Sequence, residues 1–263
     1  MVLWREGGGV LKMGGNENCR KVECVYSLLN LRFGPQGWWP VTPKGGNRPA
    51  YSEENAGNLS PTQRWEVCVG AVLAQNTNWK NAEKAVVALN AAGIDSPKKI
   101  IGTPLPQLSQ LIRPSGYHNQ KAEKLRALAE HIVRHYGGNT EMMLAEGTRQ
   151  LRAELLSIRG VGPETADSIL LYALGKGAFV ADAYTRRITQ RVGLLDEGSC
   201  GSYEKTRTFF ETNSKKEVRH YNNFHALLVR LAKEHCSKNN PACGACPLRK
   251  ECGYAGCAEN LRR

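Results

Sequence analysis

The sequence predicts an all-α fold, and three observations carry that prediction. Apolar residues recur at helical spacing through most of the chain. Alternating runs of strand character are nearly absent. Proline stands at the start of two apolar stretches, after Ser60 and after Gly162, where it suits the first position of a helix. With 263 residues, 41% of them hydrophobic, the chain can bury a large core.

The elements follow in order. Residues 1–22 are Gly-rich, with Arg5 and Glu6 where a signal peptide would stay apolar, and are expected to form a flexible tail. Glu23 to Phe33 reads as a helix ended by Gly34-Pro35. Gly37-Trp38-Trp39-Pro40 places two adjacent indoles in a loop, and residues 41–60 continue as loop. Ser60-Pro61-Thr62 caps a helix over Thr62 to Gln75. The polar turn Gln75-Asn76-Thr77-Asn78-Trp79 leads into a second helix through Leu89. Further helices are expected at Ser96–Ile101, Pro106–Ile112, Asn119–Tyr136, Thr140–Glu146, Thr148 to about Arg159, Glu164–Leu174, Tyr184–Val192, Tyr203–Asn213 and Tyr221–Cys236. No apolar run is long enough for a membrane span.

Charge suggests a partner. Lys plus Arg number 36 against 24 for Asp plus Glu, a net charge of +12. Such an excess fits a polyanion, and equally a merely basic enzyme. Nine cysteines without a signal peptide argue for metal or cluster ligation over a disulfide scaffold.

The centre of the chain is Leu151 to Arg191. Gly160-Val161-Gly162-Pro163 must interrupt a helix and start the next, giving two helices joined by a tight turn. Free amides at the second helix's N-terminus point at an anion, and in a basic protein a DNA phosphate is the natural occupant. A tight turn without a ligand is the plainer reading of the glycines alone. Downstream, Asp182 stands in an apolar setting, where it serves as a helix cap, a catalyst or both. Cys236, Cys243, Cys246 and Cys252 have the spacing C-x6-C-x2-C-x5-C, which suits an iron–sulfur cluster or zinc.

The wider pattern Leu155-x-x-Ile158-x-Gly160-Val161-Gly162-x-x-Thr165-Ala166, with Val180-Ala181-Asp182-Ala183-Tyr184 after it, resembles the helix-hairpin-helix of the DNA glycosylase superfamily that includes endonuclease III. That resemblance implies phosphate binding through Gly160, Val161 and Gly162. It also implies a monovalent cation held by carbonyls near Ile158 and Val161, and Asp182 as the catalytic carboxylate. It makes the four cysteines [4Fe–4S] ligands on a loop whose Lys238, Arg249 and Lys250 meet phosphates, although basic residues on such a loop are also often only solvated. Many members carry a lysine nucleophile at the position of Glu164. Its absence implies a monofunctional enzyme, in which water attacks and no lyase step follows.

Trp38, Trp39, Trp79 and Tyr184 are candidate stacking surfaces for an extruded base, with core packing as the alternative for each. Together with Gln75 to Trp79 they are similar to the 3-methyladenine DNA glycosylases related to endonuclease III. Gln75 also matches the endonuclease III residue that fills the gap left by the flipped base. The resemblance spans roughly Trp38 to Cys252. The expectation is therefore a monomeric, cytoplasmic enzyme acting on damaged double-stranded DNA. A helical bundle over 60–176 would face a cluster-bearing part built from 23–59 and 177–263. Release of an alkylated purine is the leading activity, with a mismatch thymine/uracil or oxidised-pyrimidine glycosylase, or a non-catalytic lesion-binding protein, as the other readings.

Overall fold

A computed structural model describes residues 16–55 and 58–255. Its elements are helical, and no strand occurs among the described residues; Val41 and Ala50 form one isolated bridge. No helix there is long and apolar enough to cross a membrane.

Twelve α-helices occur among the described residues. Helix α1 is Glu17–Phe33, α2 Pro61–Leu73, α3 Trp79–Ala91, α4 Pro97–Gly102, α5 Leu105–Leu111 and α6 His118–Tyr136. They continue with α7 Thr148–Ser157, α8 Pro163–Ser168, α9 Ala183–Val192, α10 Glu197–Cys200, α11 Tyr203–Asn213 and α12 Val218–Glu234. Helices α4 and α5 pack on α6, and α2 packs on α3 and α6, while α1 lies against α11 and α12. The core is continuous, running from Trp65 and Leu73 in α2 through Leu125 and Ile132 in α6 to Phe224 and Leu228 in α12.

Local chemistry explains the boundaries. Ser60 and Gln63 form a reciprocal capping box around Pro61. Helix α2 ends at Leu73, so Gln75 falls in the turn instead of the helix. The expected tail is shorter than the sequence suggested. Residues 17–22 belong to α1, because Asn16 accepts a hydrogen bond from the Cys19 amide (2.9 Å), Glu17 pairs with Lys21 and Val22 is buried. The remainder of the expected tail, 1–15, lies outside the described residues. The helix expected over Thr140–Glu146 is a 3-10 turn over Thr140–Ala145. Short α10 was not foreseen.

The expected helix Glu164–Leu174 is in fact two pieces. Helix α8 stops at Ser168, and Ile169–Ala173 forms a π-turn. The Arg64 guanidinium donates to the Ala173 carbonyl (2.7 Å), and the Lys176 amide to Leu170 (2.8 Å), so the widened turn is anchored at its end.

A buried ionic network ties the α7–α8 hairpin to α11. Arg152 grips the fully buried Asp167 with two hydrogen bonds (2.7 and 3.0 Å) and also reaches Glu204 (2.6 Å). Tyr203 donates to the same Asp167 carboxylate (2.8 Å). Removing one partner strands a charge inside the protein, which costs far more than losing an exposed pair. Arg152→Met should therefore lower the unfolding free energy by about 3 kcal/mol in chemical denaturation. Lys99→Ala, which breaks an exposed pair with Asp95, should change it by less than about 0.5 kcal/mol.

Candidate active site

The turn after α2, the start of α3, the hairpin, the segment before α9 and the length of α12 converge on a cavity of about 140 Å3. Asp182 and His225 stand at its buried end, and Glu164 and Lys233 at its solvent-exposed edge. Trp38, Trp39, Trp79 and Tyr184 line it, as does Gln75.

Asp182 is the N-cap of α9. Its Oδ1 accepts from the Thr185 amide at 2.7 Å, and its Oδ2 lies 3.6 Å from Nε2 of His225. Burial opposes ionisation of this carboxyl. The His225 imidazole and the Thr185 amide outweigh burial and hold it below the ordinary Asp value. Glu164 behaves oppositely: the cavity walls and the nearby Asp182 carboxylate push its carboxyl up. The two carboxyls thus differ in their readiness to ionise.

The aromatic residues are both lining and core. Trp39 and Trp79 are buried, and Trp38 is half-buried. The three rings pack edge-on with centroids 5.2–5.5 Å apart. Gly70 makes this possible, since a Cβ there would stand 3.0 Å from Trp39 Nε1. Lys233 Nζ lies 5.8 Å from the Trp38 ring centre, and burial lowers its pKa despite the attraction of Asp182. Tyr184 carries Arg187 over its face at 5.2 Å.

In the hairpin, Gly160 has φ of 88°, and a Cβ there would come within 2.3 Å of Lys124 Cγ. The Val161 amide donates to the Ile158 carbonyl (3.0 Å) and closes the turn; Gly162 caps α8 ahead of Pro163. Val161 is buried and Gly162 exposed. Gln75 is engaged with this turn. Its Nε2 donates to the Gly160 carbonyl (3.0 Å) and to Thr165 Oγ1 (2.9 Å), while its Oε1 accepts from Lys124 Nζ (2.7 Å).

The four cysteines converge after α12. Burial, and then the nearby thiols of Cys236, Cys252 and Cys243, push the Cys246 thiol up to about 11. None of the four is in a disulfide. Among the described residues no three His, Cys, Asp or Glu side chains close to the spacing of a single metal ion. Helix α9 braces the loop. Arg187 donates to the Cys236 carbonyl (3.0 and 2.8 Å), and Arg191 to Cys236 Sγ (3.3 Å) and the carbonyls of Ser237 (2.7 Å) and Lys238 (2.9 Å). Lys238, Arg249 and Lys250 are exposed on this loop, away from the cavity lining. Cys257 lies outside the described residues.

Reading the sequence alone passed over His225, Lys233, Arg187 and Arg191. The signals were present: a histidine within the otherwise apolar run Phe224 to Leu228, and two arginines four apart in the helix that Asp182 caps.

Residues 69–216 match the model of the HhH-GPD superfamily of base excision DNA repair proteins, and the chain belongs to that family. A Methanocaldococcus jannaschii protein named as a DNA repair glycosylase is 40% identical over 229 residues, 87% of this chain and 94% of that one. Endonuclease III of Sulfolobus acidocaldarius is 29% identical over 71% of this chain and 80% of its own. Among solved structures, an endonuclease III–DNA complex superposes with a TM-score of 0.72, covering 93% of this chain and 99% of the other at 20% identity, which speaks for the fold. H. pylori 3-methyladenine DNA glycosylase bound to 1,N6-ethenoadenine gives a TM-score of 0.63 at 27% identity, covering 82% and 97%. The all-α expectation and the glycosylase class are borne out.

Gly160→Ala should lower the unfolding free energy by about 1–3 kcal/mol, since the side chain meets both a positive φ and Lys124. Gly162→Ala, at φ of −94° with open space around its Cβ, should cost less in the same denaturation series.

Proposed function

We propose that the chain is a monofunctional DNA glycosylase that releases an alkylated purine by hydrolysis. The single observation that carries this is a cavity walled by Trp38, Trp39 and Trp79, with Asp182 at its buried end and a carboxylate, Glu164, where an amine nucleophile would stand. A purine alkylated on a ring nitrogen is cationic and already a good leaving group. Indole faces favour such a ring by about 0.5–2 kcal/mol per contact. As the glycosidic bond breaks, positive charge develops on the sugar, and an ionised carboxylate stabilises it and orients water. The low pKa of Asp182 keeps it ionised for that role. The 27% identity to a 3-methyladenine glycosylase supports this base class, whereas the endonuclease III relatives favour oxidised pyrimidines as the competing one.

DNA would lie between the bundle over 60–176 and the part formed by 23–59 with 177–263. The hairpin amides of Gly160 and Gly162, with or without a monovalent cation at the Ile158 and Val161 carbonyls, would hold one phosphate, while the Val161 amide, expected to join them, is engaged by the Ile158 carbonyl. Lys238, Arg249 and Lys250 would meet others, and Gln75 would leave the hairpin to fill the gap beside the extruded base. The protein would act as a cytoplasmic monomer. Cys236, Cys243, Cys246 and Cys252 fit a [4Fe–4S] cluster. They supply four thiols on one loop, near enough to influence one another's ionisation. The cluster would stiffen the loop that Arg187 and Arg191 brace.

Three measurements test this reading: base release with borohydride trapping, the kinetics of Asp182→Asn, and metal content. Duplexes carrying 3-methyladenine, 1,N6-ethenoadenine, uracil or thymine glycol should lose only the alkylated purines, and borohydride should trap no covalent adduct. Asp182→Asn should slow release at least about 100-fold while leaving affinity for abasic-analogue DNA unchanged. Release of pyrimidines alone would reject the base class, and unchanged release by Asp182→Asn would reject the catalytic residue. Anaerobically purified protein should contain about four iron atoms per chain, and less in Arg191→Ala; zinc in their place would reject the cluster.

A further inference from the structure

The π-turn brings a buried tyrosine and a buried histidine into line with Asp182. Tyr172 is buried, and its hydroxyl lies 2.5 Å from Nδ1 of His225. The His225 side chain is 7% exposed and Asp182 13% exposed. His225 Nε2 faces Asp182 Oδ2 at 3.6 Å, beyond hydrogen-bond distance, and has no hydrogen-bond partner among the described residues. A π-turn inside a helix often marks a functional position. This one advances the register just where Tyr172 must turn toward α12.

The hydrogen-bond roles can be assigned by elimination. Burial and the Asp182 charge hold the Tyr172 phenol well above its ordinary pKa, so it remains a hydroxyl donor. It can donate to His225 Nδ1 or to the Asn222 carbonyl, 3.4 Å away. In a neutral ring, donation to Asn222 would need the proton on Nδ1 and would leave a bare Nε2 lone pair against a carboxylate. Donation to Nδ1 puts the ring proton on Nε2, aimed at Asp182. The shorter contact agrees with the second arrangement.

We propose that Tyr172 and His225 form a positioning dyad for Asp182: Tyr172 fixes the histidine tautomer, and the His225 Nε2–H holds the second carboxylate oxygen and keeps it charged. With Oδ1 bound by the Thr185 amide and Oδ2 facing His225 at 3.6 Å, a small closure of that gap completes a two-point grip that sets the orientation and ionisation of the carboxylate before substrate arrives. The proposal rests on the reading of Asp182 as the catalytic carboxylate. The charged or titratable groups facing this point are Tyr172 from the π-turn, Glu164 from α8, Arg186 from α9, and His225 and Lys233 from α12.

The sign of the pH effect follows. Without the His225 donor, burial still opposes ionisation of Asp182, so its pKa rises and protonation inactivates the enzyme at a higher pH. The experiment is single-turnover base release against pH for the wild type, His225→Leu, Tyr172→Phe and Asp182→Asn. Affinity for an abasic-analogue duplex and melting temperature are measured alongside. His225→Leu should slow release at least about tenfold and move the acid limb up by about one pH unit. Tyr172→Phe should move the limb the same way by less, with DNA affinity unchanged in both; should His225→Leu fail to fold, Tyr172→Phe decides alone. An acid limb that stays in place in folded variants would overturn the dyad. Full activity of Asp182→Asn would instead overturn the underlying site.

Discussion

The hydrogen bond from the Thr185 amide to Asp182 Oδ1 is the contact on which the functional half of the molecule depends. It starts α9, and it holds a carboxylate at the buried end of an aromatic cavity. The same helix then carries Arg187 and Arg191 into the cysteine loop. A cap is normally worth about 1 kcal/mol of helix stability. Here it also contributes to a pKa, because a buried carboxylate remains charged only while donors outweigh the loss of water. Helix start, site electrostatics and loop geometry are therefore coupled through one residue.

The cavity has a similar double character. Trp39 and Trp79 serve the core and the lining at once, and Gly70 is the residue that lets Trp39 lie against α2. Rings locked by their own packing offer stacking surfaces that need no ordering when a flat ligand arrives. On the opposite side, the Arg152–Asp167 network fixes the hairpin against α11, so the hairpin amides keep their place relative to Asp182. Gln75 adds a further tie, from the turn after α2 to the Gly160 carbonyl.

Much of this was legible in the sequence because local rules governed it. The Ser60 cap, the Gly160–Pro163 turn, the Asp182 cap and the cysteine spacing each rest on neighbours within a few residues. What escaped depended on distant partners. The π-turn at Ile169–Ala173 has no local signature, and is held by Arg64 and by the packing of Tyr172 toward α12. His225 reads as one polar residue on an apolar helix until Asp182 is brought opposite it. Helix α1 is a local exception: it begins earlier than its apolar pattern suggested because a polar cap at Asn16 and the Glu17–Lys21 pair extend it. Trp39 and Trp79 could not be assigned to core or cavity from sequence, since they belong to both.

The central claim is that Asp182 is a buried carboxylate kept ionised by its fixed donors. Its site-specific titration, followed by carbon NMR of the labelled carboxyl and assigned with Asp182→Asn, tests this directly. A pKa below the ordinary Asp value of 3.8 is expected. Titration well above that value, with burial winning over the donors, would contradict it.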